Sequence, residues 1–166
     1  MKILTKTLTG CWFGFGAALT NVMVLFHSNV PMNHTNMVGV VVSLSVGTIV
    51  GAYCGRIWGL VIIKLRAEKI FRSIGYGMLI GLITFYAIIL SMTLISYAQT
   101  GFLSMLHAGD YLKIFISIIE IPSLALFGTL MGCLFEPLIL FMSGLGGGLL
   151  YLLRHQVMVI AEGDAA

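Results

Sequence analysis

The sequence predicts an all-α fold, a polytopic membrane helical bundle of about four transmembrane helices with a short broken or interfacial C-terminal helix. Three observations predict it. Apolar runs long enough to cross a hydrocarbon core, about 20 residues each, recur along the chain. Only 9% of the 166 residues are charged, against about a quarter in a soluble domain. The mean hydropathy is +1.06 with 20 glycines, a composition that membrane helices tolerate because lipid does not compete for their backbone hydrogen bonds.

The first run extends over residues 8–26, after Lys2 and Lys6. Leu8-Thr9-Gly10-Cys11 has the look of a lipoprotein cleavage box, but the apolar stretch follows the cysteine instead of preceding it. The small residues Gly16-Ala17-Ala18 could suit a signal peptidase, yet the run continues through Phe26, so an uncleaved first span is expected. A polar linker with Pro31 leads to the second run, 37–63, which ends in Lys64, Arg66, Lys69 and Arg72, offset by Glu68. The positive-inside rule makes this basic loop cytoplasmic. The third run, 74–98, is uncharged and carries tyrosines near its ends, as interfacial anchors. The fourth, 111–135, stops at Glu136-Pro137, where proline removes a backbone donor and disfavours helix in the residue before it.

Residues 138–153 are apolar but short for a span, and a segment lying in the interface or dipping back is expected over a fifth crossing. That gives one membrane domain over 1–160, with both termini cytoplasmic and a disordered tail over 161–166. The lack of an obvious transit peptide points to a bacterial inner membrane.

The sharpest pattern lies in the second run, where Gly39, Ser43, Gly47, Gly51, Gly55 and Gly59 recur at every fourth residue. Such spacing gathers small residues into one slightly drifting stripe, against which another helix backbone approaches closely. The pattern leaves open whether that helix belongs to the same chain, a second copy or another protein.

Three ionisable residues fall inside the runs: Arg56, Glu120 and Glu136. Each is a functional candidate, because a charge in the core costs at least a few kcal/mol. Arg56 lies about two turns from the cytoplasmic end, near enough for its guanidinium to snorkel or to pair with Glu136. Glu120 is expected two to three turns inside the opposite face, without a basic partner at its depth, where burial would favour the neutral acid and a proton-handling role.

Other chemistries are disfavoured. Cys11, Cys54 and Cys133 are far apart in apolar runs, which argues against disulfides and zinc. His27 and His34 lack a third ligand, and no metal or cofactor is expected. Gly144 to Gly148 lacks the lysine and strand context of a phosphate loop. A net charge of +3 concentrated in one loop gives no nucleic-acid footprint, and no set of nucleophile, base and orienting residue stands out. The expected function is therefore a non-enzymatic integral membrane subunit, whose partners are the lipid bilayer and other membrane subunits or copies of itself. The alternative is a small transporter or channel protomer with Glu120, and Arg56, on a proton, ion or solute path.

Overall fold

The computed structural model describes residues 2–27, 34–65, 69–100 and 111–163, and among these every regular element is a helix. They are α1 (Lys2–His27), α2 (His34–Ile63), α3 (Ile70–Thr100), α4 (Tyr111–Phe135), α5 (Leu138–Leu152) and α6 (Arg154–Gly163). Met37–Ile63, Ile70–Ala98 and Tyr111–Phe135 are long and apolar enough to cross a membrane, which makes the chain a membrane protein. At 26 residues α1 has the length, about 39 Å at 1.5 Å per residue, but Lys6, Thr7, Thr20 and Asn21 dilute its apolar character. The linkers at 28–33 and 101–110, and Arg66 with Glu68, lie outside the described residues.

The glycine stripe of α2 turns between two neighbours. Four residues advance a helix by slightly more than one turn, so a four-residue repeat drifts about 40° per step. Gly39 accordingly meets Met92 of α3, Gly47 lies between Asn21 of α1 and Ile88 of α3, and Gly51, Gly55 and Gly59 meet α1. A Cβ on Gly55 would sit 2.7 Å from both the Phe13 Cβ and the Thr9 carbonyl oxygen. The contacts Thr9 with Gly59, Phe13 with Gly55 and Asn21 with Gly47 run antiparallel.

A second close crossing joins α3 to α5. Gly77 meets the Gly147 Cα and nitrogen at 3.0 Å from where its own Cβ would stand, and it also meets the Ser143 carbonyl. Ser73 Oγ donates to the Gly147 carbonyl at 2.6 Å, and Trp12 Nε1 of α1 donates to the Gly146 carbonyl at 3.1 Å. The glycine run of α5 thus brings its backbone within reach of donors on two other helices.

The order of contacts along α3 fixes the course of α4 and α5. Tyr97 meets Glu120, Ile89 meets Gly128, Phe85 meets Gly132, Gly81 meets Ile139 and Ser143, and Ser73 meets Gly147. The two helices therefore form one broken rod running antiparallel to α3, interrupted at Glu136-Pro137. Residues 138–153, expected as a short broken or interfacial helix, form the second half of this rod. Its glycines pack it against α3, and α1 and α2 also touch it. After a turn at Leu153, α6 packs beside α1 and α5, with Val157 against the core. Its backbone carries helix to Gly163, into the segment expected as tail; residues 164–166 lie outside the described residues.

The bundle is tightest at one end, where Ile62, Thr9, Ser73 and Leu150 are almost fully buried. Here α1, α2, α3 and α5 enclose a core of Phe13, Cys54, Ile62, Ile63, Ile80, Leu150 and Tyr151. Towards the other end α4 keeps α3 as its main neighbour, burying Ser117, Ile121, Ala125 and Thr129 at four-residue spacing. The rest of its surface, including Phe115, Phe127 and Phe135, is exposed.

Candidate functional site

The tight end gathers the basic residues. Lys6 precedes Thr9, which packs on Gly59; Lys64 and Lys69 lie between α2 and α3, Arg72 in the first turn of α3, and Arg154 begins α6. Arg154 stacks 4.0 Å above the Tyr151 ring and reaches the Tyr151 carbonyl at 3.4 Å, where a cation suits the C-terminal end of α5. Residues from four segments thus place positive charge at a single end of the bundle, whereas the sequence singled out one loop.

Taking that end as one membrane surface, the contacts along α3 give the depth of each charge. Tyr97, the partner of Glu120, lies three residues from the end of α3, about 36 Å along the helix from Ser73. Glu120 therefore sits level with the end of α3 farthest from the basic residues. It is exposed, and Tyr97 Oη donates to its Oε2 at 3.0 Å. The missing basic partner is a tyrosine, which no spacing rule on α4 alone could have identified. Removing this exposed bond with Tyr97→Phe should give only a small downward shift of thermal unfolding in mild detergent, without a change of native mass.

Glu136 takes the deeper position. It lies between Gly132, which faces Phe85, and Ile139, which faces Gly81; Ile83, midway between Phe85 and Gly81, is also near the midpoint of the apolar stretch Ile70–Ala98. Glu136 is half-buried at the break, with its N–H donating to the Gly132 carbonyl at 2.7 Å and its carbonyl accepting from Ile139 at 3.2 Å. Arg56 is exposed on α2 beside α1, where a Cβ on Gly10 would stand 3.6 Å from its own Cβ. Since Gly47 meets Ile88, Arg56, nine residues further on, lies near the level of Leu79 on antiparallel α3. The two charges are then about one helical turn apart in depth, but on different sides of α3, and among the described residues no ion pair joins them. The expected pairing of Arg56 with Glu136 inside the chain does not form because α2 and α4 are separated by the helix between them.

A cleft of about 300 Å³ opens between α1, α3 and α5, lined by Phe13, Gly16, Asn21, Thr84, Ser143 and apolar neighbours. Its volume is at the lower end of small-molecule pockets. The hydroxyls of Thr20, Thr84 and Ser143 donate to the Gly16, Ile80 and Ile139 carbonyls of their own helices at 2.8 Å each. They therefore offer a ligand little donor capacity. Arg56, Glu120 and Glu136 are not among the lining residues.

Cys11, Cys54 and Cys133 are free thiols, and no group of three or more potential metal ligands occurs among the described residues. The side chains of His27 and His34 lie outside the described residues. No family model matches the chain, and neither the curated proteins nor the solved structures contain a match to it.

Proposed function

We propose that the chain is a non-enzymatic integral membrane subunit that assembles laterally, through its helix surfaces, into a larger membrane complex. In this reading it crosses the membrane four times, as α1, α2, α3 and the α4–α5 rod. The basic end faces the cytoplasm, with both termini on that side, by the positive-inside rule; the setting is a bacterial inner membrane.

The observation that supports the reading is that Arg56 is exposed and Glu136 half-buried, each in or beside an apolar helix, and that among the described residues no ion pair engages either. A charged group facing hydrocarbon costs about 2.5–3.5 kcal/mol on insertion scales. A contacting protein surface that supplies the opposite charge or a hydrogen bond removes much of that cost. The apolar flank of α4 offers adjoining contact area, since only a narrow stripe of it touches α3.

The transporter reading has less behind it. Its proposed residues, Glu120 and Arg56, lie far apart along the bundle, and neither lines the cleft between α1, α3 and α5. A photoreactive residue at Phe135 or Leu138, exposed beside Glu136, tests lateral assembly in the native membrane. The expected product is one discrete protein adduct at each position, while the same probe at Ile3 gives none. Adducts to lipid alone at Phe135 and Leu138 would count against the reading.

A further inference from the structure

We propose that Arg56 of one copy pairs with Glu136 of a second copy of the same chain, joining copies head-to-tail within the membrane. The proposal rests on the lateral-assembly reading and names the partner. The two residues have opposite charge, Arg56 is exposed and Glu136 half-buried, and the contacts along α3 put them about one helical turn apart along the bundle. An arginine side chain spans that difference. Because Cα–Cβ bonds tilt towards a helix N-terminus, Arg56 leans away from the basic end, towards the level of Glu136.

The break supplies further acceptors for a guanidinium. Pro137 has no N–H, so the Cys133 carbonyl lacks the donor that a continuous helix would give it. The C-terminal end of α4 also carries partial negative charge. A guanidinium has five donors in a planar fork and serves a carboxylate and an adjacent carbonyl together. Snorkelling would relieve Arg56 alone; one contact between copies relieves both charges.

The position of the pair fixes the symmetry. Arg56 lies on the α1–α2 side of the bundle and Glu136 on the side where α4 and α5 follow α3. Each copy therefore presents a different surface to each neighbour. Such a heterologous contact between equally oriented membrane proteins gives a ring where the rotation between neighbours closes and an open row where it does not, whereas a two-fold dimer needs both residues in one interface.

The test uses the full chain with its native cysteines replaced by alanine, expressed in its native membrane. Copies carrying Arg56→Cys are mixed with copies carrying Glu136→Cys. Oxidation is expected to give a disulfide-linked dimer of one copy of each kind, and a ladder of higher species when both substitutions are on one chain. Native mass is then compared for Arg56→Glu, Glu136→Arg and the double exchange. Each single change is expected to lower the oligomer fraction by about tenfold or more, and the double exchange to restore it. An intact oligomer in both single variants, or a disulfide confined to one chain, overturns the proposal. Foreign subunits retained without any link between copies overturn it while leaving lateral assembly standing; a bare monomer overturns both.

Discussion

Replacing Gly77 or Gly147 with leucine should remove most folded protein from the membrane. At this crossing α3 and α5 meet backbone to backbone: a Cβ on Gly77 would stand 3.0 Å from the Gly147 Cα, and one on Gly147 would stand 2.9 Å from the Gly77 Cα. No side-chain rotation relieves a clash with backbone, so the helices must separate. Separation also breaks the Ser73 bond to the Gly147 carbonyl and opens the core around Ile80 and Leu150. Overpacking typically costs about 1–3 kcal/mol, and more where the neighbour cannot yield; the expected cost here is about 3 kcal/mol or more. It is measured as lost monodisperse protein and a lower unfolding temperature in mild detergent. Gly75→Leu is the control, because a Cβ there meets nothing within 4 Å, and it should behave like the parent.

The next largest effect is expected at the α1–α2 crossing. Gly55→Leu drives its side chain into the Phe13 Cβ and the Thr9 carbonyl, at an expected cost of about 2–3 kcal/mol. Part of this clash is with a side chain, so the position differs from Gly147 in a measurable way. Phe13→Ala alone opens a cavity in a buried site and should destabilise on its own account. Combined with Gly55→Leu it should cost less than the sum of the two single changes, because the leucine occupies space that the phenyl ring vacates. Unfolding temperatures of the four proteins check this. Simple additivity would mean that Gly55 does not act through Phe13.

These two crossings show how much was readable in advance. The α2 stripe was visible because small residues at four-residue spacing are a property of one helix. Its partner was not, because helix pairing depends on three-dimensional arrangement, and the 40° drift per step gives Gly39 to α3 and Gly55 to α1. The glycines of α5 were recognisable only as an unsuitable phosphate loop. Their use, admitting α3 and accepting bonds from Ser73 and Trp12, depends on residues more than 70 positions away.

The charges were found by sequence, but their neighbours were not. Counting inward from Tyr111 put Glu120 inside the membrane and Glu136 at its edge. The contacts with α3 put Glu120 beside Tyr97, near the end of α3, and Glu136 near the level of Ile83, between Phe85 and Gly81. Length alone could not reveal this, because Tyr111–Phe135 is by itself long and apolar enough to span. The broken helix at Glu136-Pro137 was legible, since proline dictates it locally.

Lateral assembly is tested most directly by solubilising a tagged chain from its native membrane in mild detergent and determining native mass together with the identity of copurifying chains. The account predicts a defined assembly larger than the 18.0 kDa chain, made of several copies, with or without other subunits at fixed ratio. A monodisperse, folded monomer with no protein attached would contradict it, because Arg56 and Glu136 would then face lipid without a protein partner.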